Sequence, residues 1–194
     1  MTTLLQIHEP GATPAPHEGE QNLAVGIDLG TTNSVVAMAH DNQPEVLLGE
    51  DGSLLVPSVV AYGEKPETLP LVGEAARQLL LGEPEAVVSS IKRLMGRGAE
   101  DIKTLAGTLP FELAAGQNGD NDGGMVRLTV RGRTLTPVEV SADILRALKL
   151  RAETALDRTV DRAVVTVPAY FDDAARPATR DAARLPGLAV LALV

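Results

Sequence analysis

Residues Ala24–Leu29 form a short, apolar, β-branched run with a single carboxylate, Asp28, near its end. Gly30 breaks the run, Thr31, Thr32 and Asn33 follow, and a second apolar run occupies Ser34–Ala39. Two such runs around a glycine-centred tight turn specify a β-hairpin. The turn would present several backbone N–H groups and two hydroxyls beside one carboxylate at the buried edge of the strand. Amides and hydroxyls donate to phosphate oxygens, and a carboxylate holds the water shell of Mg2+, so the pattern suits a polyphosphate and its metal. An ordinary hairpin with Gly and Asn at turn positions gives the same pattern.

The 194 residues suffice for one domain or for two small subdomains around a shared core. Hydrophobic residues at 44% against 22% charged place the chain among folding sequences. Aromatics make up only 2% and Trp is absent, so the core must be built from Leu, Val, Ile and Ala. A net charge of −9 argues against a primary nucleic-acid or anionic-membrane surface. Without cysteine there is no disulfide framework, thiolate metal site or Cys nucleophile. No apolar run reaches the length of a membrane span, and the N-terminus lacks a basic region followed by an apolar core. A cytoplasmic location is expected.

Residues 1–22, with Pro10-Gly11, Pro14 and Pro16 around a Leu4-Leu5-Gln6-Ile7 patch, read as a flexible leader. After the hairpin, Glu45–Leu48 is a candidate third strand, and Leu54–Tyr62 another, with Pro57 marking an edge or a bend. Glu74–Leu81 has helical composition and is ended by Gly82-Glu83-Pro84. Residues 99–135 read as a smaller unit in which the acidic loop Gly116–Gly124 separates two candidate strands, Phe111–Ala114 and Met125–Arg131. Asn118, Asp120, Asp122 and Gly123 approach the spacing of a calcium loop. The closing position holds Thr129 instead of glutamate, which favours a solvated loop.

Thr136-Pro137-Val138-Glu139 is a strong helix start: Thr caps, Pro takes the first helical position and Glu completes a capping box. Val140, Ile144, Leu148, Ala152 and Leu156 then recur at near-helical spacing and form one apolar stripe. Arg162–Val167 reads as a buried strand closed by Pro168, Asp172 or Asp173 as the cap of a helix through Leu185, and Leu188–Val194 as a last strand. This order argues for a mixed α/β layer. The expected division is a leader at 1–22, a core from 23–60 and 136–194, and an inserted subdomain at 61–135.

Two further stretches bear on chemistry. Ser90–Arg97 carries three cations within six residues in an otherwise acidic protein. A lysine there could neutralise charge developing on phosphate and orient an attacking water, whereas a solvated basic turn would give the same pattern. Val165–Asp173 is by itself a strand, a proline stop and a capped helix. The three histidines, His8, His17 and His40, have no metal-ligand spacing, and no Ser/His/Asp nucleophile arrangement is visible.

Together, Asp28–Ser34, Ser90–Arg97, and Val165–Asp173 with Asp181-Ala182-Ala183-Arg184 resemble the N-terminal ATPase lobe of the heat-shock-70, or DnaK-type, chaperones, in the family's order and separation. The resemblance covers residues 23–194. Residues Leu4–Gly11 and Val138–Leu145 are similar to the branch of that family serving iron–sulfur cluster assembly.

The resemblance implies an actin-like, ribonuclease-H-like α/β ATPase lobe with an inserted α+β subdomain. It implies hydrolysis of ATP to ADP and phosphate that switches a separate peptide-binding domain. By match to the family's motifs, Asp28 would hold Mg2+ through water, and Gly30, Thr31, Thr32 and Asn33 would cradle the phosphates. Lys92 would position the lytic water, making Lys92, Asp28 and Thr31 the catalytic set. Pro168 and Arg176 would relay the nucleotide state to the peptide-binding domain. The implied partners are a J-domain co-chaperone and an iron–sulfur scaffold protein or unfolded client.

Several positions depart from the family pattern. The sequence ends at Val194, where the family continues into an Asn-Glu-Pro-Thr segment whose glutamate contributes to the metal site. About half a nucleotide cleft and weak or absent hydrolysis by this chain alone are therefore expected. Leu191 and Ala192 stand where the family usually has a basic residue that helps dock the J-domain, so that docking is expected to be impaired. Pro177 inside a helix begun at Asp172 would cost about 3 kcal/mol, so the helix should kink beside Arg176 or start later. Pro186, before Gly187 at the helix end, is easier to accommodate. Two other readings compete: a non-enzymatic remnant of such a chaperone, and an actin-fold sugar kinase or filament protein, from which Ser90–Arg97 and Val167–Asp173 point away.

Overall fold

The structure, a computed structural model, describes residues 23–40, 43–97, 112–113 and 126–194. The leader and the acidic loop at 116–124 lie outside the described residues. In chain order the strands are β1 (Ala24–Asp28), β2 (Asn33–His40), β3 (Gln43–Val46), β4 (Val56–Pro57), β5 (Val59–Ala61), β6 (Leu71–Val72) and β7 (Val87–Ser89). They continue with β8 (Glu112–Leu113), β9 (Leu128–Val130), β10 (Arg133–Leu135), β11 (Arg162–Thr166) and β12 (Ala189–Leu193). Among the described residues the helices are α1 (Glu74–Gln78), α2 (Pro137–Leu156) and α3 (Ala175–Arg184), with short 3-10 turns between β6 and β8.

The main sheet runs β12-β11-β1-β2-β3, with β4 paired to β2. The expected hairpin is present: β1 and β2 are antiparallel with Gly26 opposite Ala37, Ile27 opposite Val36 and Asp28 opposite Val35. β11 lies parallel to β1, and β12 parallel to β11 with a register shift at Ala163/Val164. Parallel neighbours need a crossover, and helices α2 and α3 supply the two crossovers here. Strand alternation sends Val25 and Ile27, and Ala163 and Val165, into the core, while their neighbours face the other way. The buried strand expected at Arg162–Val167 is present as Arg162–Thr166, with Ala163 and Val165 fully buried and Arg162, Val164 and Thr166 half-buried.

Helix α2 starts as its sequence dictates. Thr136 Oγ1 accepts the Glu139 N–H at 3.2 Å, and the Glu139 carboxylate accepts the Thr136 N–H at 2.7 Å. Its stripe of Val140, Ile144, Leu148 and Ala152 is fully buried, with Leu156 packed partly against it. Helix α3 ends in paired bonds, Gly187 N–H to the Arg184 carbonyl and Leu188 N–H to the Ala183 carbonyl. Gly187 takes the left-handed conformation (φ 78°) that this type of helix stop requires.

Two three-stranded sheets, β6-β5-β7 and β10-β9-β8, come from residues 59–135. Pro57 ends the two-residue β4, and β5 begins after Ser58, so the proline marks a bend at a short edge pair. Val60, Tyr62, Val88 and Leu94, with Leu128, Val130 and Leu135, join the same buried cluster as Val25, Ile27, Val165 and the α2 stripe. The opposite face of β5 and β7 has its own small cluster of Val59, Ala61, Ala76, Ala86 and Val87. Buried Tyr62 donates to Asp143 of α2 at 2.8 Å, Arg146 also bonds that carboxylate, and the Arg133 guanidinium stacks 5.0 Å from the Tyr62 ring centre. Among the described residues no helix is long and apolar enough to cross a membrane.

Candidate phosphate-binding site

Asp28 ends β1, and its side chain is exposed, not held at a buried edge as expected. The cause is the period of the strand: Ile27 and Leu29 take the two inward positions, which leaves Asp28 on the open face. Its register partner on β11 is Thr166, whose Oγ1 donates to Asp28 Oδ1 at 2.7 Å. Thr166 was not among the candidates from sequence. The signal that finds it is pairing register, because both strands end on a polar residue at one level of a parallel pair.

The turn that follows is shaped by close contacts. A Cβ on Gly30 would lie 1.9 Å from the Asn33 carbonyl oxygen, so only glycine fits. The Gly30 N–H donates to Ser34 Oγ at 3.1 Å, and the Ser58 N–H donates to the Thr32 carbonyl at 2.8 Å. Among the described residues, neither the Thr31 nor the Thr32 N–H enters the hydrogen bonds that hold the turn. Thr31 is half-buried, and Thr32 and Asn33 are exposed. The turn therefore offers amides and hydroxyls to an anion, beside a carboxylate suited to a hydrated cation.

Lys92 sits on a single 3-10 turn, Ile91–Leu94, entered through Ser90 in the left-handed conformation (φ 57°). Buried Ile91 and Leu94 anchor the turn, and Ser141 of α2 donates to Met95 Sδ at 3.3 Å. Lys92 is only 8% exposed, which excludes the solvated basic turn for this residue; Arg93 and Arg97 are the solvated pair. Burial pulls the Lys92 ammonium below its ordinary pKa, and attraction to Asp28 works in the opposite direction. Lys92 Nζ lies 5.7 Å from the centre of the Phe171 ring.

That contact ties Lys92 to the loop after β11. Within the loop the Phe171 N–H donates to the carbonyl of half-buried Pro168 at 3.0 Å. Asp172 Oδ1 accepts the N–H groups of Ala174 and Ala175 at 3.1 and 2.8 Å, so α3 begins at Ala175 and not at Asp172. Pro177 is then the third helical residue: the Arg176 N–H bonds the Asp172 carbonyl and the Ala178 N–H the Ala174 carbonyl, and the bond Pro177 cannot make is the one to the Asp173 carbonyl between them. Arg176, half-buried, is the second residue of the helix. Gly96 seals the arrangement from the other side: with φ 72°, its added Cβ would lie 2.3 Å from the Ala175 nitrogen.

Asp28, Lys92 and the Pro168–Arg176 segment, dispersed over the sequence, therefore meet in linked contacts. Among the described residues no group of three or more His, Asp or Glu side chains is placed to chelate a metal. An open groove of about 890 Å3 lies elsewhere, between Leu48–Pro57 and the α2 residues Leu150 and Arg151, and reaches only Asn33 of the turn.

The family model described as Hsp70 protein matches residues 24–194. Over 98% of its length the chain is 51% identical to a chaperone protein HscA homolog of Chromobacterium violaceum and 52% identical to one of Pseudomonas aeruginosa. It is 48% identical to chaperone protein HscA of Citrobacter koseri. In each case the chain spans 29% of the relative's length. The glycine turn, the buried lysine and the proline loop occur together in a sequence that matches this family throughout its described core, and the chain belongs to the Hsp70 family.

Proposed function

We propose that the chain is the ATP-binding lobe of a DnaK-type chaperone of the HscA kind, assisting maturation of iron–sulfur proteins by ATP-driven client binding and release. In this reading residues 23–60 and 136–194 form the core of an actin-like first lobe, and 61–135 its inserted subdomain. The nucleotide phosphates lie over Gly30, Thr31, Thr32 and Asn33, whose turn has no room for a Cβ at Gly30. Asp28 holds Mg2+ through water, with Thr166 fixing one carboxylate oxygen. The metal, when bound, neutralises charge on the phosphates.

Lys92 acts beside the terminal phosphate, orienting a water for attack. Its side chain is largely buried and its ammonium partly desolvated, so its field on a phosphate is stronger than in bulk solvent. Pro168 and Arg176 carry the nucleotide state outward, and the Phe171 and Gly96 contacts give them a physical link to Lys92. A J-domain co-chaperone and an iron–sulfur scaffold protein or unfolded client are the partners. Leu191 and Ala192 weaken the first of these contacts by withholding the family's basic side chain.

The observation that carries this reading is the convergence of Asp28, the Gly30 turn and Lys92 on linked elements. Calorimetric titration of the chain with Mg-ATP tests it. Measurable uptake is expected, and Asp28→Ala or Thr31→Ala should remove it. Indistinguishable isotherms for parent and variants would defeat the site assignment.

A further inference from the structure

The shape of the phosphate turn is imposed from behind by a residue outside it. Ser34 Oγ accepts the Gly30 N–H at 3.1 Å and lies 2.9 Å from Ser58 Oγ. Both serines are 1% exposed, so neither hydroxyl has solvent as an alternative partner. The Ser58 N–H meanwhile donates to the Thr32 carbonyl at 2.8 Å. Ser58 thus grips the turn twice, through its backbone at Thr32 and through a buried hydroxyl relay to Gly30. The flanking pairs, Asn33 opposite Pro57 and Ser34 opposite Val56, set the register in which this happens.

The two bonds use the Thr32 carbonyl and the Gly30 N–H, and the Thr31 and Thr32 amides stay outside them. Carbonyls repel phosphate and amides attract it, so tying the Thr32 carbonyl to Ser58 keeps an acceptor away from an anion. A serine pair sealed in an apolar core is costly unless each hydroxyl is bonded, so breaking one bond strands the other.

We infer that Ser58 is a positioning residue for the nucleotide: through Ser34 and Thr32 it holds the Gly30–Asn33 turn in its anion-accepting shape. This rests on the nucleotide reading above. The main-chain grip survives any side-chain change, so the relay is the part that substitution tests.

The experiment is a double-mutant cycle on the chain with Ser58→Ala, Ser34→Ala and the pair, titrated calorimetrically with Mg-ATP. Amide hydrogen exchange at Gly30 and thermal unfolding are followed in parallel. Ser58→Ala should weaken Mg-ATP binding about fivefold and speed exchange at Gly30, and the two single losses should not add. A merely structural serine would lower the melting temperature while leaving affinity, measured well below the transition, unchanged. Parent-like affinity in Ser58→Ala, or strictly additive losses, would overturn the positioning role while leaving the nucleotide site intact. A parent chain that takes up no Mg-ATP would instead overturn the nucleotide reading, and the positioning role with it.

Discussion

Lys92 shows how much a single residue's setting decides. In sequence it is one of three neighbouring cations; in the fold it alone is buried, against Phe171 and within the field of Asp28. Because burial holds its pKa below the ordinary 10.5, the unfolded chain binds a proton that the folded chain has lost between those two values. Stability contributed at this site therefore rises as pH climbs through that window, and below it the buried charge is a standing cost. Lys92→Met should leave the fold as stable as the parent or more so at neutral pH, and should flatten the rise toward 10.5. Urea melts of parent and variant across that range check this; a less stable variant with an unchanged pH slope would refute it. The residue types at Asp28, Thr31 and Lys92 were readable as phosphate chemistry, but their exposure was not. Burial of Lys92 depends on α2 and on Phe171, far away in sequence, and the Thr166 bond to Asp28 depends on a strand register that local pattern does not set.

Elements with strong local signals stand where the sequence puts them. Helix α2 has both of its start signals and its whole apolar stripe, because capping chemistry and helical period are properties of neighbouring residues. Helix α3 is less legible: Asp172 is its capping acceptor, yet the helix proper waits until Ala175, which accommodates Pro177 in the first turn. The later start also places Ala175 against Gly96, a contact between segments that local pattern does not reveal. The capping box predicts a definite cost. Thr136→Ala removes the acceptor for the Glu139 N–H, one half of the reciprocal pair, and the hydroxyl that donates to the Glu139 carboxylate. It should destabilise the chain by about 1 kcal/mol in denaturant melts, with fastest added exchange in the first turn of α2. A loss indistinguishable from zero would mean the box forms without contributing.

For the molecule as a whole, the question is whether the main sheet and the strands of residues 59–135 unfold as one. The strand topology of the small sheets would allow separate folding, but their inward residues do not form a separate core. Val60, Tyr62 and Leu128 share one cluster with Val25, Val165 and the α2 stripe, and the Tyr62–Asp143 bond crosses the same boundary. Leu148 lies at 0% exposure in that stripe, so truncating it opens a cavity that both groups of strands must feel. Leu148→Ala should cost about 2–5 kcal/mol, a large part of a typical domain stability of roughly 5–15 kcal/mol. Because the core is common, the loss should shift a single cooperative transition, and exchange protection in β1 and β11 should fall by the same factor as in β5 and β7. Protection that persisted in β5 and β7 while β1 and β11 opened would show that the smaller sheets are stabilised independently. The satellite cluster of Val59, Ala61 and Ala86 would then have to be enough to hold them. Among the described residues its five buried side chains are all Val or Ala and are joined by partly buried Leu79 and Leu80, so it buries little apolar surface, and α2, whose stripe lies in the cluster both groups of strands share, is the element through which they hold together.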